Sequence, residues 1–234
     1  MPSPDGYAAL LAAMAADLRD QPDEHSTAIR VLFHARHLVG CERAAVGLVR
    51  ARGVIGTVGS SPEAEVLHSL QHEWGEGPAV DALATGELCV AGVGSGERWP
   101  RWESVARPVG VGGVVSASMT ALGLAVGVID FYLATPPAGE DQLARALGTH
   151  AAVALVTIRN ETGLRTAIAT RTVIGQAEGI VMERYGLDSN GAFQLLRRYS
   201  QHHNVKLRTV AEALVETGQL PAFDTGDELG RLTG

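Results

Sequence analysis

Five side chains could carry chemistry, because thiols, imidazoles and a carboxylate in an apolar segment can act as nucleophiles, metal ligands or proton donors. They are Cys41, Cys89, His34, His37 and Asp130. The two cysteines form neither a metal-type pair nor a disulfide framework, which favours small buried residues over reactive thiols. The two histidines are three positions apart, but no spaced cysteine or carboxylate joins them into a metal site. Asp130 lies within an apolar strand, where burial would shift its pKa, although a solvent-facing position is equally open.

Common catalytic motifs are absent from the sequence. No glycine-rich loop is followed by Lys and Ser or Thr, as phosphate binding by a nucleotide hydrolase would need, and no His-Glu-x-x-His segment is present. His202 and His203 are adjacent and therefore point to different sides of a helix. We therefore predict a protein that is not an enzyme, with no catalytic residue, no metal ion and no cofactor.

The composition is that of a folded protein with an uneven charge distribution. The 234 residues are 46% hydrophobic and 19% charged, which excludes a disordered chain. Apolar runs are cut before they could span a membrane, and the N-terminus lacks a basic secretory signal, so we expect a cytoplasmic protein without a membrane partner. The net charge of −7 argues against a general nucleic-acid binder. Residues 164–210, however, hold seven basic and three acidic side chains, which allows a nucleic-acid partner there.

The patterns over residues 7–133 predict an α+β domain with a central antiparallel sheet. Longer helices are expected over 7–20, 24–39 and 62–74, and the inner side of the last is expected to carry Val66, Leu67, Leu70 and Trp74. Strands are expected over 43–49, 53–58, 88–91, 109–119 and 124–133. The last two strands flank a turn and are expected to be neighbours in the middle of the sheet.

A long helical stretch begins at Leu143. Apolar residues recur at three- and four-residue spacing in its first half, at Leu147, Ala151, Ala154 and Ile158. This spacing predicts a homodimer seam through the helix over 141–172, and a plain terminal helix followed by a linker is the alternative. Three helices are expected within 161–218, and residues 221–234 are expected to form a flexible acidic tail.

The front half resembles the GAF family of small sensor domains. The matching segments include Gly75-Glu-Gly-Pro-Ala79, Arg98-Trp-Pro-Arg-Trp102 and Gly123-Leu-Ala-Val-Gly-Val-Ile-Asp130. The resemblance implies a GAF-like antiparallel sheet with flanking helices over residues 1–158, with its core at about 20–158, and a pocket that receives a small-molecule or protein signal. Trp74, Trp99 and Trp102 are the candidate pocket walls, and ordinary packing of loop against sheet is the alternative. The family often has Cys where Ala79 stands, so no cysteine-linked chromophore is expected.

The back half resembles the ANTAR family. The matching segments are Thr170-Arg-Thr-Val-Ile-Gly-Gln-Ala-Glu-Gly-Ile-Val-Met-Glu-Arg-Tyr185, Ala192-Phe-Gln-Leu-Leu-Arg-Arg-Tyr-Ser-Gln201 and Asn204-Val-Lys-Leu-Arg-Thr-Val-Ala211. The resemblance implies an all-α three-helix bundle over residues 159–220 that binds paired RNA hairpins in nascent transcripts and prevents a terminator hairpin from forming. Glu178 stands where members commonly carry Lys, and this replacement removes a positive charge. The two resemblances together imply a signal-responsive transcription antiterminator.

Eight side chains of the back half are candidates for RNA contact, because cations bind phosphate and polar groups read unpaired bases. They are Arg171, Gln176, Arg197, Arg198, Ser200, Asn204, Lys206 and Arg208. Tyr199 could stack on a base or belong to the core. Two other functions stay open: a DNA-binding regulator, because three short helices also build helix-turn-helix modules, and a ligand-processing enzyme in the front domain.

Overall fold

The structure, a computed structural model, describes residues 4–50, 53, 55–94, 98–139 and 141–221. It divides into two units, Met1–Glu161 and Thr162–Gly234. The predicted acidic tail lies outside the described residues from position 222 onward. The helices are α1 (Pro4–Arg19), α2 (Glu24–His34), α3 (Pro62–Trp74), α4 (Pro78–Thr85), α5 (Pro100–Ala106), α6 (Asp141–Tyr185), α7 (Ser189–His202) and α8 (Leu207–Thr217). The strands are β1 (Arg43–Val49), β2 (Ile55–Gly59), β3 (Leu88–Gly92), β4 (Gly113–Ala121) and β5 (Leu124–Leu133).

The five strands form one antiparallel sheet in the order β2-β1-β5-β4-β3. The predicted α+β fold is confirmed, and β4 and β5 are adjacent as expected. The strand expected from Val109 begins only at Gly113, because Arg107–Val109 form a 3₁₀ turn and Gly110 takes a left-handed φ of 82°. A short helix, α5, precedes this turn.

Alternation along the strands divides the sheet into two buried faces. Ile129 and Phe131 of β5 belong to the core cluster that also contains residues of α1, α2 and α6. Val128 and Tyr132 belong to the opposite cluster, which contains residues of α3, α4 and α5. The sheet is therefore covered by helices on both sides, and Asp130 alternates onto the side of Val128 and Tyr132.

The first part of α6 belongs to the core of the front unit. Leu147, Ala151 and Ala154, three of the residues that suggested a dimer seam, lie in the same core cluster as the sheet residues. Leu147 and Ala151 have no exposed surface, and Ile158 is 5% exposed. The apolar spacing in this part of the helix is thus used within the core of the front unit. A homodimer seam along the helix stays a prediction.

The back unit has its own apolar core, formed by the last part of α6 together with α7 and α8. Its buried residues are Ala177, Val181, Ala192, Leu196, Tyr199, Val210, Ala211 and Leu214. The carboxylate of Asp188 accepts a hydrogen bond from the backbone N–H of Gly191 at 2.7 Å and so begins α7. Short helices of this kind depend on one another's apolar faces, and the predicted three-helix arrangement is confirmed.

Length and apolar content together decide whether a helix could cross a lipid bilayer. Among the described residues, no helix meets both conditions.

Candidate functional site

A buried polar cluster lies on one face of the front unit's sheet, centred on Asp130. This residue has no exposed surface, and its carboxylate accepts four side-chain hydrogen bonds. Ser116 Oγ donates to Oδ1 at 2.5 Å, while His68 Nδ1 and Gln71 Nε2 each lie 2.7 Å from Oδ2. The hydroxyl of Tyr132 donates to Oδ2 at 2.9 Å. These four hydrogen bonds compensate for the free-energy cost of burying the charged carboxylate of Asp130 away from water.

The partners of Asp130 hold its negative charge in place. Burial by itself raises the pKa of Asp130, but the charge of His68 and the hydrogen bonds from His68, Ser116 and Tyr132 outweigh it and hold the pKa below its usual value. Burial, with the nearby charge of Asp130, raises the pKa of Tyr132 well above its usual value. The carboxylate is therefore ionised at neutral pH, and the phenol remains a hydrogen-bond donor.

A histidine chain leads from Asp130 toward the outside of the unit. His68 and His72 are one helical turn apart on α3, and their Nε2 atoms lie 3.0 Å apart. His72 is partly exposed, whereas His68 has no exposed surface. Burial, together with the positive charge of His68, lowers the pKa of His72 to about 4. His72 is thus neutral at physiological pH and completes a hydrogen-bonded chain from the carboxylate to the edge of the cluster.

The glycine-rich segment at 75–79 closes this cluster on one side. Gln71 uses both ends of its amide: Nε2 donates to Asp130, and Oε1 accepts from the backbone N–H of Ala79 at 2.7 Å. A Cβ on Gly77 would lie 2.4 Å from Cγ of Gln71, so only glycine lets the loop approach this closely. The 75–79 segment, which is part of the resemblance to the GAF family, thus positions Gln71 for its hydrogen bond to the buried carboxylate of Asp130.

Sequence reasoning flagged Asp130 but missed His68 and Gln71. It expected Val66 on the inner side of α3, and that prediction is wrong, because the side chain of Val66 is 55% exposed. The buried side of α3 carries His68 and Gln71 with Ala64 and Leu67. Asp130 lies 62 residues after His68 and 59 residues after Gln71, so local hydrophobic spacing could not reveal that these side chains are partners.

The three candidate pocket tryptophans have different surroundings. Trp102 is fully buried, and its indole N–H donates to the backbone carbonyl of Leu67 at 3.1 Å. Trp99 is 3% exposed and meets Trp102 edge to face. Trp74 is partly exposed at the end of α3, with the guanidinium of Arg101 over its ring. Their role as walls of a ligand pocket stays a prediction.

The two cysteines have the environment of structural residues. Burial raises the pKa of Cys41 to about 12, and burial also raises the pKa of Cys89. Both thiols therefore stay protonated at neutral pH, which disfavours nucleophilic chemistry.

An open groove of about 600 Å³ lies on the back unit between α6 and α7. Its lining consists of Ala167, Thr170, Arg171, Ile174, Gly175, Glu178 and Phe193. Phe193 is only partly buried and does not belong to the core cluster of the back unit. Within the described part of the chain, Arg171 forms no ion pair. The groove therefore combines an aromatic ring, an available cation and a carboxylate.

The remaining candidate RNA-binding residues fall into two groups. Gln176, Arg197, Arg198, Asn204 and Lys206 are exposed. Ser200 and Arg208 already have partners: Ser200 Oγ donates to the carbonyl of Val205 at 2.5 Å, and Arg208 pairs with Glu212 at 2.7 Å. Their roles stay predictions.

Two residues of the α7–α8 connection have conformational roles. Asn204 takes a left-handed φ of 51°, which suits the end of α7. Tyr199 is buried, packs against His203 with the rings tilted and their centres 4.4 Å apart, and donates its hydroxyl to the carbonyl of Pro221. The core alternative for Tyr199 is the one that its burial supports.

The helix-covered sheet of the front unit and the helical back unit match two known families of regulatory domains. Residues 23–155 match the GAF domain family, and residues 162–215 match the ANTAR domain family. The chain belongs to the GAF family and is a GAF–ANTAR protein. ANTAR is an RNA-binding antitermination module and GAF a sensor domain, so the general kind of function is sensing linked to transcription control.

Solved structures with the same fold are distant in sequence. The N-acylhomoserine lactone dependent LuxR family transcription factor CepR2 from Burkholderia cenocepacia is 18% identical, with a TM-score of 0.50 over 64% of this chain and 94% of that chain. Free methionine-R-sulfoxide reductase from Neisseria meningitidis is 16% identical, with a TM-score of 0.51 over 69% and 96%. Bacteriophytochrome RpBphP3 from R. palustris is 11% identical, with a TM-score of 0.58 over 87% and 47%, so this chain spans about half of it. At these identities the likeness shows the fold alone. No curated protein matches the chain significantly.

Proposed function

We propose that this protein is a signal-responsive transcription antiterminator of the cytoplasm, in which a sensor over residues 1–158 controls an RNA-binding module over 159–220. The module would hold paired hairpins of a nascent transcript and so prevent a terminator hairpin from forming. The observation that carries the proposal is the groove of the back unit, because it offers both groups that single-stranded RNA recognition uses. These are an aromatic ring for stacking and cations for phosphate.

The groove and its margin suit a splayed-out nucleotide. Phe193 presents a partly exposed ring, and Arg171 lies in the same lining. Arg197 follows Phe193 by one helical turn on α7, so its side chain leaves the helix on the same side. A base stacked on Phe193 would therefore have its phosphates within reach of two cations.

Two further exposed cations, Arg198 and Lys206, lie outside the groove lining. Lys206 is exposed immediately before α8, where the unpaired backbone N–H groups of the helix also favour an anion. Arg198 is exposed on α7. Neither side chain has an ion pair among the described residues. Both are available for phosphate, whereas Arg208 would first have to leave Glu212.

The proposed homodimer uses the exposed part of the predicted 141–172 seam. All residues from 160 to 169 are exposed, including Leu164 at 63% and Ile168 at 59%. These two apolar side chains are four positions apart and so lie on one side of the helix. We propose that they pair with the same residues of a second chain, which would present two RNA-binding modules to two hairpins.

The proposed signal is a small molecule or protein that binds the front unit and changes the pairing or rotation of these helices. Arg159 supports such coupling from within the front unit. Its guanidinium pairs with Glu24 of α2 and donates to the carbonyls of Val49 at 3.0 Å and Val126 at 3.4 Å. Movement in β1 or β5 would therefore reach α6 directly.

A gel-shift comparison tests the proposed function. Full-length protein is titrated against RNA with two adjacent hairpins and against duplex DNA of the same sequence. The proposal expects retention of the hairpin RNA and weaker binding of the duplex. Tight duplex binding without hairpin binding would instead identify a DNA-binding regulator.

A further inference from the structure

The two histidines of the buried cluster bring a pair of ring nitrogens together on one side of α3. His68 and His72 are four positions apart, so their side chains leave the helix on the same side, and their Nε2 atoms lie 3.0 Å apart. Histidines at this helical spacing can hold one transition-metal ion between them, because both rings reach the same point. The pair therefore has a possible use beyond the hydrogen bond between its rings.

The distance between the two nitrogens suits an ion of the size of Zn²⁺. Zinc binds imidazole nitrogen at about 2.0 to 2.1 Å, so two nitrogens of a tetrahedral site lie about 3.3 Å apart. The rings need to separate only slightly, and the hydrogen between the two nitrogens gives way to the ion. His72 is partly exposed, so an ion can enter from its side, whereas His68 has no exposed surface.

Asp130 prepares His68 to act as a metal ligand. Nδ1 of His68 donates to Oδ2 of Asp130 at 2.7 Å, which leaves Nε2 as the nitrogen that faces His72. A carboxylate behind a ligating histidine fixes the orientation of the ring and makes its other nitrogen a stronger electron donor. Asp130 is itself held by Ser116 and Gln71, and its negative charge offsets the charge of a nearby cation.

The other histidine pair of the front unit lacks this arrangement. His34 and His37 are three positions apart, but Nε2 of His34 lies 2.7 Å from Oδ2 of Asp17. Nδ1 of His37 lies 2.7 Å from the carbonyl oxygen of Phe33. One nitrogen of each ring is thus held by a different partner, so the pair that sequence spacing singled out serves as a control.

The two histidines supply only part of a coordination shell. Among the residues that the structure describes, no group of three or more histidine, cysteine, aspartate or glutamate side chains is placed to hold a metal ion. The remaining positions on an ion at His68 and His72 therefore go to water or to a small molecule with its own donor atoms, as at open zinc sites.

We propose that His68 and His72 bind one divalent transition-metal ion of the zinc type, with Asp130 as the positioning residue behind His68. Imidazole ligands favour such ions, whereas Mg²⁺ and Ca²⁺ favour oxygen. The ion joins two turns of α3 and, through Asp130, contacts the hydrogen-bond network of β5, so it bears on how α3 packs on the sheet. The proposal gives the front unit a chemical class of input and does not depend on RNA binding by the back unit.

Calorimetric titration of the untagged full chain, first freed of metal with a chelator, tests the proposal. One equivalent of Zn²⁺ is expected to bind, and Mg²⁺ at the same concentration is expected to give no heat of binding. Co²⁺ is the spectroscopic probe, because its visible absorption reports nitrogen ligands and tetrahedral geometry. His72→Gln is expected to weaken Zn²⁺ binding by about 100-fold or more, since losing a ligand costs at least as much as losing its outer partner.

The role of Asp130 has its own readout. Asp130→Asn keeps the size of the side chain and is expected to weaken Zn²⁺ binding by about 10- to 100-fold. The Co²⁺ spectrum at saturation is expected to stay that of the wild-type chain, because both ligands remain. An unchanged Zn²⁺ affinity in folded Asp130→Asn would overturn the positioning role.

A matched control separates this site from other histidines. His37→Gln removes an exposed histidine of the other pair and is expected to bind Zn²⁺ as the wild-type chain does. Near-ultraviolet circular dichroism checks that each variant is folded. Absence of Zn²⁺ binding in the folded wild-type chain, or unchanged binding in His72→Gln, would overturn the metal site. Either result would leave the proposed function standing, since hairpin retention is measured separately.

Discussion

His68 donates a hydrogen bond from Nδ1 to Oδ2 of Asp130 across 2.7 Å, and neither side chain has any exposed surface. The pair joins α3 to β5, the central strand of the sheet. Such a buried polar pair is not by itself evidence of high stability, but removing one partner leaves the other buried without its hydrogen bond. The pair therefore fixes how α3 sits on the sheet and makes the sensor domain sensitive to changes at either residue.

We expect strong energetic coupling between His68 and Asp130. Asp130→Ala should lower the free energy of unfolding by about 3 kcal/mol, because it leaves His68 buried beside the emptied site. The double variant His68→Leu/Asp130→Ala should cost less than the sum of the two single variants. Chemical denaturation of the full chain measures all three values, and strict additivity would contradict the coupling.

The pH dependence of stability should report His72. Its pKa in the folded protein is about 4, below the ordinary histidine value of 6.5, so the unfolded chain binds more protons between these two values. Stability from His72 is therefore complete above pH 6.5 and decreases as the pH falls toward 4. The pKa of Asp130 is lowered from its usual value of 3.8, so the stability that its charge contributes is lost only at a pH below that value.

Chemical denaturation measured between pH 7 and pH 5 separates the effect of protonating His72 from the effect of protonating carboxylates. His72→Gln should flatten the fall in the free energy of unfolding over that interval. His25→Gln, which changes an exposed histidine of α2, is the matched control and should leave the slope unchanged. Equal slopes in the wild-type chain and His72→Gln would show that His72 does not carry the dependence.

Local sequence patterns predicted where helices and strands lie better than they predicted which side chains those elements bury and contact. Capping residues such as Asp188 and the αL glycine Gly218 act within a few residues, so the sequence displays them directly. Burial of His68 depends instead on Asp130, 62 residues away in the chain. The spacing at Leu147 and Ala151 was equally ambiguous, because an apolar stripe suits a sheet as well as a second helix.

The salt dependence of RNA binding should identify the phosphate contacts. The double variant Arg198→Ala/Lys206→Ala should weaken hairpin binding and reduce the slope of log affinity against log salt by roughly 1.4 to 1.8, because each lost phosphate contact removes about 0.7 to 0.9. Arg145→Ala removes an exposed cation from the front unit and should leave the slope as it is. An unchanged slope in the double variant would refute the assignment of these two cations.

The exposed pair on α6 should control the oligomeric state. Leu164→Glu/Ile168→Glu places four carboxylates in the proposed seam and should raise the dimer dissociation constant at least tenfold, about 1.4 kcal/mol. Sedimentation velocity of the full chain over a range of concentrations measures it. Val66→Glu changes an exposed apolar residue of α3 in the same way and should have no effect. A wild-type chain that is monomeric throughout would contradict the proposed seam.

Ultraviolet crosslinking in living cells, followed by sequencing of the RNA bound to the full-length protein, tests most directly whether the chain acts on nascent transcripts. We expect crosslinks concentrated on paired hairpins immediately upstream of transcription terminators, and fewer of them in Phe193→Ala at the same protein level. Crosslinks spread without regard to hairpins, or recovery of DNA in place of RNA, would contradict that expectation.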